Sequence, residues 1–476
     1  MADLRGRPVL ILLTSHWISM LGAGLATLAG FTWLFVLPSS IHGHVDNPYV
    51  GILIFLIIPA VFFLGLILIP IGIAFAKRSL REDLGELPDR RQAWRRVGIF
   101  FGIMTMLNLL IGAQVSYRAL DHMDTPQFCG QTCHVMKPEF TAHLSAPHRT
   151  VECAHCHVAP GAQGWVKAKM AGTRQLIEVL LNNYPRPIES AMESNRLVLS
   201  EDTCEGCHDR NQFVGPVVRV ITKFNPDETN SRTETVLTMH VGGGRFGGIH
   251  GAHMGPGVHI RYAVSDKKRQ TIPWVEYRSA TGQVDTFLAE GSKPGVEQSL
   301  PVYEMQCVDC HNRASHPFRT ADQAIDRKIM AGDIPLDLPF VKKTAIDLVK
   351  ANYQTDQEAE QKIPAGVVDF YRRSYPDIAG KRDADIRKAA TGILAAYQEN
   401  VFPDLKVTWG TYSNNLGHMD YPGCFRCHDE SHSNSAKKTL SQDCTLCHNP
   451  VAVDENAPEV LTTLGVRQMP PPQNAP

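Results

Sequence analysis

Twelve cysteines occur in this sequence, and they form six pairs in which a histidine directly follows the second cysteine. The pairs are Cys129/Cys133, Cys153/Cys156, Cys204/Cys207, Cys307/Cys310, Cys424/Cys427 and Cys444/Cys447, and the histidines that follow are His134, His157, His208, His311, His428 and His448. All but the first pair read C-x-x-C-H, the spacing at which two thiols add to the vinyl groups of one haem while the adjacent imidazole reaches the iron. The sequence therefore predicts six covalently attached c-type haems.

Structural zinc sites and disulfides are the alternative uses of paired cysteines, since C-x-x-C alone serves both. Neither use gives a reason for a histidine after every second cysteine. The repeated Cys-His adjacency therefore favours haem over zinc or disulfides at all six positions.

The first pair lies in the stretch FCGQTCHVM, where three residues rather than two separate Cys129 from Cys133. The adjacency of Cys133 and His134 is kept, so a local bulge in the turn can absorb the extra residue and a haem is still expected. Met136 adds a thioether within reach of the same iron, and thioether ligation raises the potential of a haem. The alternative is that Met136 packs as an ordinary apolar side chain. The sequence leaves open whether His134 or Met136 binds this iron.

Each haem also needs a ligand on its second face, and histidines outside the motifs are the candidates. His316, His418 and His432 stand beside motifs, and His148 follows the first motif in SAPHRT. One or two of His250, His253 and His259 are also expected to be ligands, with His253 and His259 preferred. The alternative for each is a solvated surface histidine.

Three apolar segments precede the first motif, at residues 9–37, 51–76 and 97–117. Each has about the 20 apolar residues that a bilayer core requires, so three membrane spans are predicted. A cleaved signal peptide is the alternative for the first segment, but no clear cleavage site follows it.

Basic residues predict the orientation of these spans. The loop at 77–96 is rich in Lys and Arg, whereas residues 38–50 contain neither. Because basic loops remain in the cytoplasm, the N-terminus is predicted to be cytoplasmic and the haem-bearing part periplasmic, at a bacterial inner membrane. Haem attachment outside the cytoplasm agrees with this orientation.

The predicted fold is a mainly α membrane multihaem cytochrome c. Composition divides the chain into a membrane domain (1–118), a domain with haems 1–3 (119–212), a β-rich insertion with histidine ligands (213–300), a fourth haem segment (301–319), a helical spacer (320–400), a segment with haems 5 and 6 (401–450) and a tail (451–476). The insertion shows short β-branched runs between Gly, Pro and Asn, and the spacer shows helical periodicity. With a formal net charge of −1, no nucleic acid partner is expected.

Residues 97–212 contain FCGQTCHVM, SAPH, CAHCHVAPGAQGWVKAKMAG and CEGCH. This block resembles the NapC/NirT family of membrane-anchored quinol dehydrogenases. The wider chain, with its two extra spans and RPIESAMESNRLV, resembles inner-membrane multihaem cytochromes of the ImcH type. The resemblance implies that menaquinol or ubiquinol is oxidised beside the first haem, that Met136 holds its iron, and that Lys167 or Lys169 lies at the quinol site.

These features predict a quinol-oxidising electron conduit that draws on the membrane quinol pool and delivers electrons to periplasmic c-type cytochromes. His44 and Asp46, between the first two spans, are candidate proton acceptors, although ordinary interfacial polar residues are the alternative. A second hypothesis is an electron-transfer subunit of a larger respiratory complex without its own quinone site. The glycine-rich stretch LGAGLATLAG would then be a packing surface for partner subunits. A terminal reductase is disfavoured because no motif reads C-x-x-C-K.

Overall fold

The computed structural model describes residues 9–41, 56–82, 90–123, 125–132, 134–194 and 198–466. It is mostly helical, as the sequence predicted, and it divides into two compact units, Met1–Phe128 and Cys129–Pro476. We call these the N-terminal unit and the C-terminal unit. His44 and Asp46, the candidate proton acceptors, lie outside the described residues.

Helices make up the N-terminal unit: α1 (Val9–Leu13), α2 (Trp17–Ile41), α3 (Ile58–Glu82) and α4 (Arg90–Met123). Three of them are long and apolar enough to cross a membrane, over Trp17–Leu34, Ile58–Ser79 and Arg91–Arg118. The prediction of three spans is confirmed. The first span begins later than the apolar run suggested, because a turn at residues 14–16 separates α1 from α2.

Helices α2 and α3 approach each other at glycines. A Cβ atom on Gly65 would lie 2.7 Å from the Gly22 carbonyl oxygen, and one on Gly72 would lie 2.1 Å from the Ser19 nitrogen. Small residues at such crossings let two backbones come into van der Waals contact within a bilayer. The stretch LGAGLATLAG therefore packs against the protein's own second span.

Replacing Gly65 by leucine is expected to destabilise the N-terminal unit, because a side chain has no space between α2 and α3. Overpacking of this kind costs roughly 1–3 kcal/mol. The measurement is the thermal unfolding midpoint of the purified protein in detergent. Gly98→Leu on α4 is the matched control, because nothing lies within 4 Å of a Cβ built there. Equal midpoints for the two variants would contradict the observed packing.

The C-terminal unit contains twelve α-helices in its described part. They are α5 (Lys137–Leu144), α6 (Cys153–His157), α7 (Gly161–Leu180), α8 (Ser200–Thr203), α9 (Gly248–Met254), α10 (Cys307–Cys310), α11 (Ala321–Met330), α12 (Val341–Val349), α13 (Asp356–Ser374), α14 (Pro376–Lys381), α15 (Asp383–Gln398) and α16 (Glu459–Thr463). The strands are β1 (Val217–Phe224), β2 (Arg232–Met239), β3 (His259–Ala263), β4 (Trp274–Arg278), β5 (Val284–Leu288), β6 (Val302–Glu304) and β7 (His448–Glu455).

The strands form two antiparallel sheets, in the orders β1-β2-β7 and β5-β4-β3-β6. Strands β1–β5 coincide with the β-branched runs that the sequence pattern predicted. Strand β7 crosses the boundary between the predicted segment with haems 5 and 6 and the predicted tail, and it pairs with β2 so that His448 lies opposite Met239. The sixth motif is thereby fixed to the edge of the first sheet.

Helices α11–α15 enclose the largest apolar core of the C-terminal unit. Ile363, Val367 and Tyr371 follow one another every four residues on α13 and are fully buried, because this spacing places them on one helical face. The segment also contacts α5, through an ion pair of 3.1 Å between Lys137 and Asp356. It therefore lies beside the helix that follows the first motif, in addition to connecting the fourth and fifth motifs.

Candidate haem sites

The C-x-x-C-H motifs lie in single helical or 3₁₀ turns, which is what their spacing requires. The second and fourth motifs form α6 and α10, the third forms a turn after α8, and the last two form 3₁₀ turns at Gly423–Arg426 and Cys444–Leu446. In the fourth motif, the amide of His311 donates to the Cys307 carbonyl oxygen at 2.7 Å. One turn between the cysteines places both thiols on the same side of the backbone, with the histidine directly after them.

The first motif begins with a wider turn. Residues Phe128–Thr132 form a π-helical turn, which accommodates one residue more than an α-helical turn. Phe140 of α5 packs closely against Gly130. Met136 precedes α5 and is half-buried. Cys133 and the side chain of His134 lie outside the described part of the chain.

No disulfide joins the cysteines that the structure describes. Within the described ranges, no three His, Cys, Asp or Glu side chains are grouped as they would be around a metal ion such as zinc. The thiols and imidazoles are instead arranged in pairs.

Five motif histidines each face a second histidine. The ring centroid separations are 6.2 Å for His157 and His316, 6.0 Å for His208 and His148, 6.2 Å for His311 and His250, 5.8 Å for His428 and His253, and 6.1 Å for His448 and His418. An iron held from both sides by imidazole nitrogens at about 2 Å keeps the two ring centroids roughly 6 Å apart. The separations fit a six-coordinate haem iron between the two rings of each pair.

Hydrogen bonds orient several of these rings. The Nδ1 atoms of His316, His148, His253 and His428 lie 2.9, 3.2, 2.7 and 3.0 Å from the backbone carbonyl oxygens of Glu139, Ala314, Ile249 and Ser441. A metal-binding histidine commonly donates its second ring N–H to such an acceptor, because this fixes the tautomer that directs Nε2 at the metal. These four contacts therefore leave Nε2 for the iron.

Burial also favours the uncharged ring that binds iron. It lowers the pKa of His316 to about 4, and it lowers the pKa of His157, His253 and His311. A neutral imidazole has a free lone pair, whereas the imidazolium does not.

Two of the six histidines expected as second ligands do not face a motif histidine. His432 is buried, and its Nδ1 and Nε2 atoms lie 2.8 Å from Asp429 Oδ1 and 2.7 Å from the Ile272 carbonyl oxygen, so neither nitrogen is left for iron. His259 is exposed, and its Nδ1 lies 2.7 Å from Glu304 Oε1. The structure therefore places neither of these two histidines beside a motif histidine, and it gives no support to the ligand roles that the sequence favoured.

His250 takes the place that the sequence assigned to His259. It lies on α9 three residues before His253, and the two rings face the fourth and fifth motifs respectively. Side chains at this spacing are neighbours on one helical face. One short helix therefore connects two adjacent candidate haem sites, and the three-residue spacing of the two histidines was a signal in the sequence that could have identified both.

Consecutive motifs are also neighbours in space. The Cys129 thiol hydrogen bonds with Cys153 and raises its pKa, and Cys204 does the same to Cys307. The Cys156 thiol lies near Cys204 and Cys207, Cys310 lies near Cys424, and Cys424 lies near Cys447. The six motifs therefore follow one another through the C-terminal unit in the order of the sequence.

A buried carboxyl group that the sequence did not indicate lies beside the second motif's partner histidine. Burial raises the pKa of Glu139 from 4.5 to about 7, against the opposing effects of its backbone hydrogen bond, Arg313 and Tyr412. The folded protein therefore retains a proton that the unfolded chain releases, so the contribution of Glu139 to stability falls as the pH rises from about 4.5 to about 7. The sequence signal that could have indicated this burial was the position of Glu139 one turn after Met136, on the same face of α5 as Ala142 and His143.

Lys167 and Lys169, the candidate quinol-site lysines, both lie on α7. Lys167 is exposed, whereas Lys169 is half-buried and its ammonium group lies 5.6 Å from the centre of the Trp165 ring. The first motif and α7 both belong to the C-terminal unit.

Three membrane-spanning helices, paired thiols and paired imidazoles together define a membrane-anchored multihaem c-type cytochrome. The chain belongs to the NapC/NirT cytochrome c family, and its residues 91–214 match the N-terminal region of that family. It is 35% identical over 459 residues to the cytochrome c-type protein ImcH of Geobacter sulfurreducens, which covers 93% of this chain and 89% of that protein. No solved structure matches this chain.

Proposed function

We propose that this protein oxidises menaquinol or ubiquinol at the periplasmic surface of the inner membrane and passes the electrons through six c-type haems to periplasmic cytochromes. The main support is the succession of motifs, in which each is a neighbour of the next from the first to the sixth. A continuous series of sites is what single-electron transfer over such a length requires. Membership of the NapC/NirT family supports quinol as the electron source.

The proposed mechanism assigns separate roles to the two ends of the series. Oxidation of one quinol releases two protons and two electrons. Bound haem supplies one-electron chemistry at iron, while the protein sets its ligands, spacing and burial. Met136 would hold the first iron by its thioether, and Lys167 or Lys169 would bind a quinol oxygen. His44 or Asp46 would accept protons.

The five imidazole pairs would hold the second to sixth haems. In three of these pairs, Nδ1 hydrogen bonds of His316, His148, His253 and His428 to backbone carbonyl oxygens would hold the rings in the orientation that binds iron. The sixth site, with His448 and His418, lies at the end of the series, and its Cys444 is exposed. We expect the acceptor cytochrome to dock there through a small, transient contact.

The proposal predicts that oxidised protein in detergent is reduced rapidly by a menaquinol analogue in a stopped-flow absorbance experiment. Met136→Leu is expected to slow this reduction about tenfold or more, because loss of the axial thioether changes both the potential and the position of the first acceptor. Reduction by dithionite and haem content should be unchanged. Met330→Leu, at an exposed methionine at the end of α11, is the matched control and should behave as the wild type.

Two further experiments bear on this proposal: one identifies the lysine at the quinol site, and the other distinguishes quinol oxidation from electron transfer without a quinone site. Lys167→Gln and Lys169→Gln, compared under the same conditions, should differ in the quinol concentration that gives half-maximal rate, and so identify the lysine at the quinol site. Intact protein that dithionite reduces but quinol does not would contradict quinol oxidation. It would support the electron-transfer subunit that receives electrons from a partner.

A further inference from the structure

Helix α7 presents its large apolar side chains outward. Val166, Met170, Ile177 and Leu180, with Thr173 among them, recur at intervals of four and three residues, so they form one largely apolar stripe along the helix. All five are exposed, and the exposed fractions of Met170 and Leu180 reach 70% and 75%. No residue of α7 is buried. The stripe therefore extends over the 15 residues from Val166 to Leu180, or roughly 21 Å along the helix.

The opposite face of α7 carries the residues that lie against the protein. Gly164, Ala168 and Ala171 are half-buried there, and all three are small. Helix α13 of the same unit has the usual arrangement, in which apolar side chains such as Ile363 and Val367 are fully buried. The amphipathicity of α7 is inverted relative to α13, which indicates that its apolar stripe contacts something other than the interior of this unit.

The haem of the second motif is too close to one end of α7 to cover the stripe. The motif precedes the helix, at Cys153–His157, whereas Ile177 lies sixteen residues, or roughly 24 Å, beyond the first residue of α7. A single porphyrin at the N-terminal end cannot extend over Ile177 and Leu180.

The composition of α7 identifies a lipid surface as the partner. Its charged residues are Lys167, Lys169, Arg174 and a single acid, Glu178, and Trp165 lies near its N-terminus. An apolar stripe bordered by basic residues and a tryptophan is typical of helices that lie in the bilayer interface, where cations contact the phosphate groups of lipids. The same chain contains three helices long and apolar enough to cross a membrane, so it is expected to be attached to a bilayer.

We propose that α7 lies along one surface of the bilayer, with Val166, Met170, Ile177 and Leu180 inserted among the acyl chains and the basic residues in the headgroup region. Interfacial helices insert their apolar face about 5–10 Å. This contact gives the C-terminal unit a membrane attachment of its own, in addition to its covalent link to α4. It does not depend on quinol oxidation, and it holds equally for an electron-transfer subunit.

The test uses haem-loaded, full-length protein in lipid nanodiscs and needs no substitution. Hydroxyl-radical footprinting oxidises methionines that water reaches, and Met170 and Met330 are an internal pair with exposed fractions of 70% and 46%. A carbene precursor dissolved in the lipid labels side chains that acyl chains reach. Both modifications are located by peptide mass spectrometry.

Met170 is expected to be oxidised about tenfold more slowly than Met330, although its side chain is the more exposed of the two. The carbene should label the peptide that contains Met170, Ile177 and Leu180, and not the peptide that contains Met330. Oxidation of Met170 at the rate of Met330 would show that water covers the stripe. Protection of Met170 without carbene labelling would show that protein or porphyrin covers it. Either result would overturn the proposal, whether or not the protein oxidises quinol.

Discussion

Replacement of His253 by alanine is expected to convert one haem of the oxidised protein from low spin to high spin. The His253 ring lies 5.8 Å from the His428 ring, and its Nδ1 contacts the Ile249 carbonyl oxygen, so its Nε2 is available to the iron of the haem proposed at the fifth motif. Without this ring the iron loses one strong ligand. Electron paramagnetic resonance of the oxidised protein should show a new high-spin signal that integrates to one haem per chain.

The potential of the same haem should rise in a redox titration. Imidazole stabilises ferric iron, so its loss is expected to raise the potential on the order of 100 mV, within the range of about 0.8 V that axial ligands cover. The other haems should keep their potentials, apart from small electrostatic changes at the neighbouring fourth site. Haem content, measured by intact mass, should be unchanged because Cys424 and Cys427 remain.

His259→Ala and His432→Ala are the controls, because the sequence alone favoured both positions as ligands. His259→Ala should leave the spin states unchanged, since its ring is exposed and pairs with Glu304. His432→Ala should also leave them unchanged but lower the free energy of unfolding by roughly 1–3 kcal/mol, because Asp429 and the Ile272 carbonyl oxygen each lose a hydrogen-bond partner. A high-spin signal in either control, without one in His253→Ala, would refute the pairing.

The parts of this protein that sequence predicted well are those in which neighbouring residues carry the information. A haem motif is complete within five residues, and a membrane span within about 20, so both appear in a single window of sequence. The strands β1–β5 were likewise visible as local runs of β-branched residues. In each case the residues that determine the feature lie within a single motif, helix or strand.

The second ligands could not be assigned in this way, because each faces a motif from a distant part of the chain. His432 stands four residues after a motif histidine, yet a local turn directs its ring to Asp429 and into the β-rich region. His316 stands beside the fourth motif but faces His157 of the second. Proximity in sequence was therefore a poor guide to proximity in space, and long-range packing decided the pairs.

The pairing of β7 with β2 and the contact of the helical segment with α5 were unpredictable for the same reason. A strand does not specify its partner by its own pattern, because the register depends on the sheet that receives it. The ion pair between Lys137 and Asp356 joins residues that no local window contains together. The first contact fixes the sixth motif to the edge of a sheet, and the second brings the helical segment beside the helix that follows the first motif.

A buried charge cluster beside the fourth motif carries the second large prediction. Asp309 lies between the two cysteines of that motif, and its carboxylate accepts hydrogen bonds from the Tyr262 hydroxyl and from Arg269 at 3.2 Å. The exposed side-chain fractions of Arg269 and Asp309 are 8% and 3%. The Arg269 guanidinium also stacks on the Tyr303 ring at 3.6 Å. The cluster connects β3, the loop before β4 and the turn that binds the haem.

Asp309→Ala is expected to lower the free energy of unfolding by roughly 3–5 kcal/mol, because it removes the carboxylate that neutralises a buried guanidinium. The measurement is chemical denaturation followed by circular dichroism. The same change should loosen the turn at Cys307–Cys310, because Asp309 also accepts from the Gln306 amide that begins it. A broadened transition of the fourth haem in redox titration would report this loosening.

The double variant Asp309→Ala with Arg269→Met distinguishes the effect of the unpaired buried charge from the effect of losing the hydrogen bonds between Asp309 and the turn. Removing both charges should recover most of the lost stability, since a buried ion pair replaced by uncharged groups of similar volume costs little. Glu276→Ala, which removes one partner of the exposed pair with Arg261, should cost about 1 kcal/mol or less. If Asp309→Ala costs no more than Glu276→Ala, the cluster does not stabilise the fourth motif. If the double variant remains as unstable as Asp309→Ala, the hydrogen bonds of Asp309 to the turn, rather than its charge, hold the motif in place.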